Sequence, residues 1–247
     1  MKMSVCIDAV YSGRNFQESM KEIKRLGVKA FEFWSWWDKE KLKEISLLKD
    51  ELGLEAAAFC TKFISLVDAA QRESYLDALK ESINIAKKLD CKTLISQVGN
   101  DMGTSREEQK KNLIRGLKSC APILEAEDIT LVIEPLNTAV DHKGYFLWAS
   151  GEAFEIIDRV NSPRVKVLFD IYHQQITEGN LIKNITENIH KIGHFHAAGN
   201  PGRHELYYGE INYPSVFKAI DESGYEGYTG LEYFPLEAPE KGIKAFI

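Results

Sequence analysis

Eight short apolar runs, separated by segments with helical spacing, constrain this chain more than any other feature of it. The runs fall at 3–9, 28–33, 54–59, 92–96, 129–133, 165–169, 192–195 and 228–231. They are apolar on both faces and separated by helices, which is the pattern of parallel strands covered by helices. Over 16–26, Phe16, Met20, Ile23 and Leu26 recur at three- and four-residue spacing, and Gly27 ends the helix. The same reading predicts helices at 39–52, 71–89, 105–126, 150–160, 180–190 and 213–223. Ser105 and Ser150 stand as N-caps, with Glu107, Glu108 and Glu152 in first turns. Pro122 lacks the N–H of an interior position and is expected to bend the end of its helix.

Eight such units predict a closed (β/α)8 TIM barrel, an α/β fold in a single domain spanning 1–247. Residues 235–247 form a C-terminal extension whose Ile243, Phe246 and Ile247 are expected to pack on the barrel or on a partner. An open doubly wound sheet is the other arrangement of such units. However, no GxGxxG follows the first run, and no GxxxxGK[ST] loop is present. The longer connections, at 34–39, 60–70, 97–104, 135–149 and 197–212, all follow strands. They belong to the C-terminal rim, where barrel active sites are built.

Polar residues stand at the ends of four of these runs. ITLVIEPLN, VKVLFDIYH, KIGHFHAAG and YTGLEYF place Glu134, Asp170, His196 and Glu232 immediately after apolar stretches. Carboxylates converging at a barrel mouth repel one another and are costly to bury unless protonated, paired or metal-bound. A divalent cation would neutralise them. Three oxygens and one nitrogen suit Mn²⁺ or Mg²⁺, with Co²⁺ or Zn²⁺ also accommodated.

The bulk numbers narrow the partners. A hydrophobic share of 44% supports a full core, while a formal net charge of −6 offers no broad field for a nucleic-acid backbone. No run of about 20 apolar residues suggests a membrane span, and the N-terminus has no apolar stretch before a cleavage site. Cys6, Cys60, Cys91 and Cys120 form no CxxC pair and read as reduced core thiols of a cytoplasmic protein.

The segments VIEPLN, FDIYH, GHFHAAGNPGRHE, GEINY and GLEY together resemble the hydroxypyruvate isomerase group of the xylose isomerase-like sugar isomerase and epimerase superfamily. The resemblance is densest over 134–233. It implies a TIM barrel and one divalent ion held by Glu134, Asp170, His196 and Glu232, with Glu134 and Glu232 also the acid–base pair. It implies further that His173 and Arg203 contact substrate oxygens, and that the chain forms a homodimer or homotetramer. One position departs from the group: hydroxypyruvate isomerases carry Gln at the third metal position, whereas the similar keto-sugar 3-epimerases carry His, as this chain does at His196.

The expected activity is a metal-dependent isomerisation of a small hydroxy-carbonyl compound such as hydroxypyruvate through an ene-diolate. Keto-sugar 3-epimerase is the second reading, and a non-catalytic sugar-binding or assembly module a third of another class. A dehydratase or lyase could start from the same ene-diolate. Glu32, Trp34, Trp36 and Trp37 in FEFWSWWDKE are expected to form a sugar-facing wall. Lys62, Asn100, Asp101 and Asn137 are further candidates for reading substrate hydroxyls. Strand alternation puts His194 on the side of His196 but deeper. His204 is placed at the entrance, and His142 and His190 receive no role.

Overall fold

The computed structural model of the chain describes residues 1–38 and 42–246. Eight parallel strands close into a barrel in sequence order: β1 Lys2–Cys6, β2 Ala30–Ser35, β3 Glu55–Cys60, β4 Thr93–Ser96, β5 Thr130–Ile133, β6 Val165–Asp170, β7 Ile192–Ala197 and β8 Tyr228–Leu231. Pairing of Lys2–Val5 with Tyr228–Leu231 closes the ring. A closed parallel sheet leaves no open edge and requires a crossover helix between neighbours, which the helical segments supply.

The alternation of side chains across each strand divides the core in two. Outside, between sheet and helices, Phe31 and Phe33 of β2 meet Phe16, and Phe33 stacks on Phe59 at 5.0 Å. Inside the barrel lie Ala58, Cys60, Ile95, Val132 and Leu168, with Trp34 packed against them. The same alternation turns Glu32 inward from β2, and His194 and His196 inward from β7.

Several expected boundaries shift. The first strand stops at Cys6, and Ile7–Val10 form a helical turn, so Asp8 leaves the strand and accepts the Trp34 backbone N–H at 2.8 Å. A second short helix, Ile171–Thr177, follows β6 directly. The third helix is described from Leu42 to Leu52; its expected start at 39–41 lies outside the described residues. The helix Arg106–Glu127 runs through Pro122 without ending there. At the C-terminus, Pro239–Lys244 is helical, Ile243 is fully buried, and Phe246 packs edge-on to Tyr213 and Phe217. Ile247 lies outside the described residues. All four cysteines are free and buried. Among the described residues, no helix is long and apolar enough to cross a membrane.

Candidate metal centre and substrate cavity

Strand geometry brings the four strand-end residues together. Asp170 closes β6, His196 lies near the end of β7, and Glu134 and Glu232 follow β5 and β8 directly. One ligand atom from each of Glu134, Asp170, His196 and Glu232 lies within 4.8 Å of the others, and all four residues are buried. His196 Nδ1 is 3.3 Å from Glu232 Oε2 and 3.6 Å from Glu134 Oε1. Glu134 Oε1 and His196 Nδ1 are buried polar atoms with no hydrogen-bond partner among the described residues. Unpaired buried donors and acceptors cost about 1–3 kcal/mol each. Two of them facing one point, beside two more carboxylates, fit a divalent cation with a mixed O/N donor set.

Asp170 and Glu232 are also held by the chain. Asp170 Oδ1 caps the helix Ile171–Thr177, accepting from the backbone N–H of Tyr172 at 2.8 Å and His173 at 3.2 Å. Its Oδ2 faces Arg203 at 3.6 Å. Glu232 Oε1 accepts from Trp34 Nε1 at 2.6 Å, and its Oε2 accepts from Arg203 Nη2. Burial opposes ionisation of Glu232, but His196 and Arg203 hold its pKa well below the usual carboxylate range. At Asp170 burial wins over Arg203 and the pKa is raised. Arg203 has a left-handed backbone, φ 57°, and its carbonyl accepts from Phe234 N at 2.8 Å.

His173 is fully buried, and its protonation follows from its partners. Asn137 Oδ1 accepts from the backbone of Val140 and Asp141, so its amide nitrogen is the atom 2.7 Å from His173 Nδ1. Nδ1 is therefore the acceptor, and the proton sits on Nε2. Burial, and then Arg203, lower the His173 pKa to about 3, so the ring is neutral at physiological pH. His173 Nε2–H has no hydrogen-bond partner among the described residues.

His196 behaves in the opposite way. Burial opposes its charge, but Glu232, Glu134 and Glu32 raise its pKa well above the usual imidazole value. A cation bound at Nδ1 has to displace that proton, so metal affinity is expected to rise with pH and fall on acidification. Calorimetry in two buffers of different ionisation enthalpy should show proton release on metal binding; buffer-independent heats would refute it.

The cavity above this centre has a volume of about 750 Å³. Its floor carries Glu134, His196, Glu232, His173 and Arg203; Trp34, Phe63, Ile64, Met102 and Leu136 form apolar walls; Ser65, Asp68, Gln71, Asn100 and Asp101 line its polar side.

Four sequence expectations are corrected here. Glu32 is not on a cavity wall: strand alternation buries it inside the barrel, where it accepts from Ser4 Oγ, His194 Nε2 at 3.1 Å and His196 Nε2 at 2.9 Å. Burial opposes its ionisation, but His194 and His196 hold its pKa at about 2. Trp36 and Lys62 turn toward the helix Arg72–Leu89: Trp36 Nε1 donates to Ser82 at 3.1 Å, and Lys62 pairs with Glu81 at 2.5 Å. His204 is not among the residues that line the cavity, and its Nδ1 lies 2.8 Å from the Phe234 carbonyl. Trp37 packs on Phe63, a wall residue, at 5.2 Å.

Gln97 and His142 are among the cavity residues that were not foreseen. Gln97 follows β4 just as Glu134 follows β5, and its amide lies 3.5 Å from Glu134 Oε2; the strand-end rule applied to a neutral side chain finds it. His142 packs against His173 at 5.1 Å from within a long loop, which no periodicity marks.

Gly230 of β8 is a further constraint. A Cβ there would lie 2.5 Å from Glu32 Oε1 and 2.8 Å from His196 Cδ2. Gly230→Ala is expected to cost about 1–3 kcal/mol through overpacking and to lower metal affinity. A thermal melt and a metal titration check it, and a variant matching the parent in both would refute this close fit.

Fold and site together define a closed (β/α)8 barrel with buried carboxylate and histidine clusters able to chelate a divalent cation at the C-terminal ends of its strands. The chain belongs to the xylose isomerase-like TIM barrel family, whose model matches residues 20–247. A putative hydroxypyruvate isomerase of Danio rerio is 31% identical over 93% of this chain and 88% of its own length. The hydroxypyruvate isomerase of Escherichia coli K12 is 38% identical over 70% of this chain and 67% of its own. The crystal structure of a family 2 AP endonuclease from Brucella melitensis superposes with a TM-score of 0.94 at 28% identity, covering 100% of this chain and 98% of that one.

Proposed function

We propose that the protein is a divalent-metal-dependent isomerase of a small α-hydroxy carbonyl compound such as hydroxypyruvate, working through an ene-diolate. The observation that carries this reading is the convergence of Glu134, Asp170, His196 and Glu232 within 4.8 Å, with Glu134, His196 and Glu232 lining the floor of a cavity. The names of the Danio rerio and Escherichia coli relatives support the same chemistry.

These four residues would hold the ion, which supplies a Lewis acid that stabilises negative charge on the substrate's carbonyl and hydroxyl oxygens. Glu134 is the acceptor for the proton on the hydroxyl-bearing carbon: with its Oε1 turned to the ion, its Oε2 meets only the Gln97 amide at 3.5 Å, while both oxygens of Glu232 are engaged. A proton returns to the former carbonyl carbon through Glu232, which takes it up from water in the cavity while Glu134 releases its own to water, so both carboxylates end as they began; the hydroxyl proton passes from one substrate oxygen to the other. His173 Nε2–H, neutral, not hydrogen-bonded among the described residues and 3.5 Å from Asp170 Oδ2, donates to an oxygen that gains charge. Arg203, itself on the cavity floor, holds Glu232 and Asp170 in place.

A second reading, keto-sugar 3-epimerase, is favoured by the cavity itself. About 750 Å³ exceeds what a three-carbon acid fills, and the distal lining is neutral or acidic. The same two carboxylates would then remove and return a proton at one carbon from opposite faces.

The deciding experiment is NMR in D₂O with Mg²⁺-loaded protein and a panel of hydroxypyruvate and common ketoses. Conversion of hydroxypyruvate to deuterated tartronate semialdehyde supports isomerisation. A new ketose epimer with hydroxypyruvate untouched supports the second reading. Absence of exchange into every compound overturns both.

A further inference from the structure

His196 belongs to two groups of potential ligands. Its Nδ1 faces Glu134 and Glu232, and its Nε2 faces Glu32, which with His194 forms a second cluster tight enough to chelate a cation. We propose that the second cluster holds no ion. Instead, Glu32 is a positioning residue that keeps the proton of His196 on Nε2, turns the Nδ1 lone pair to the four-residue centre, and biases that centre toward nitrogen-preferring metals.

Three observations separate the clusters. Of the side-chain atoms of the two clusters, those buried without a partner among the described residues are Glu134 Oε1 and His196 Nδ1, both on the four-residue side; no atom that the second cluster turns inward is among them. The Glu32 carboxylate already accepts from three donors, Ser4 Oγ, His194 Nε2 and His196 Nε2. Space is also lacking, because Gly230 approaches so closely that even a methyl group would lie 2.5 Å from Glu32 Oε1. A fully satisfied carboxylate under a sealed floor is a hydrogen-bond anchor, whereas orphaned atoms beneath an open cavity are ligands.

A carboxylate behind a ligating imidazole fixes its tautomer and raises its basicity, and loss of such a partner typically weakens metal binding about 10–100-fold. Mg²⁺ relies chiefly on oxygen ligands and water, while Co²⁺ gains strongly from imidazole. Loss of the Glu32 charge should therefore weaken Co²⁺ more than Mg²⁺. The inference rests on the metal centre and is independent of the reaction. Selective metal loss without any isomerisation would leave it standing while overturning the proposed function.

The test is equilibrium dialysis of the whole chain against Co²⁺ and Mg²⁺ separately. The parent is expected to bind one Co²⁺ per chain. Glu32→Gln should still bind one, with Co²⁺ affinity reduced about 10–100-fold and Mg²⁺ affinity changed less than about threefold. In a His196→Gln background, adding Glu32→Gln should produce little further loss, because Glu32 acts through that ring. Glu32→Asp, which keeps the charge but withdraws it, should give an intermediate Co²⁺ to Mg²⁺ ratio and serves if the Gln variant does not fold. Two Co²⁺ ions per parent chain would overturn the proposal. So would unchanged Co²⁺ affinity in both Glu32 variants, or equal loss of both metals.

Discussion

Glu134→Gln is expected to reduce exchange of solvent deuterium into the substrate by about 10²–10⁴-fold, the range for removal of a general base. Gln keeps the side-chain volume and leaves a carbonyl oxygen that can still face a cation, but it cannot take a proton. The fold should be unaffected, since Glu134 Oε1 has no partner to lose and Gln97 contacts Oε2 only at 3.5 Å. Glu232→Gln should reduce exchange as strongly and also destabilise the chain. Trp34 Nε1 and Arg203 both donate to Glu232, so a Gln amide would present N–H groups to an existing donor and strip Arg203 of its closest counter-charge. Breaking a buried ion pair on one side costs about 3–5 kcal/mol, which a denaturant titration would detect. If exchange survives at parental rates in both variants, these carboxylates are not the acid–base pair.

Asp170 gives the second large effect, and two substitutions separate its two tasks. One oxygen caps the helix Ile171–Thr177 and the other faces the metal centre. Asn is as good an N-cap as Asp, whereas Ala costs about 0.5–2 kcal/mol at such a position. Asp170→Asn should therefore keep most of the stability and lose metal affinity by at least about a hundredfold, since removing a direct ligand costs no less than removing the partner behind one. Asp170→Ala should lose both. Parental metal affinity in Asp170→Asn would remove this residue from the ligand set.

Much of this arrangement is legible along the chain because it is local. Apolar runs of strand length, helical spacing between them and glycines at helix ends are set by near neighbours, and they predict eight strand–helix units closing into a barrel. The polar residue after each of four runs follows from the same geometry, since a parallel barrel gathers strand ends at one rim. FEFW shows where local reading stops. Its alternation sends Phe31 and Phe33 to the helices and Glu32 and Trp34 inward, but proximity to the tryptophans suggests a shared cavity wall. Only Trp34, two residues nearer the rim than Glu32, reaches the cavity and Glu232.

The sequence by itself determined the strand count, the parallel closed topology and the four strand-end ligand candidates, because these depend on period and on the polarity of single positions. The tertiary structure alone decided which polar groups meet. Glu32 pairs with His194 and His196 across separations of 162 and 164 residues, and Arg203 lies against Glu232 from a left-handed position in a loop. Lys62 is captured by Glu81 on a helix, away from the cavity. Such pairings depend on barrel closure and on side-chain direction in three dimensions, and a linear pattern carries neither.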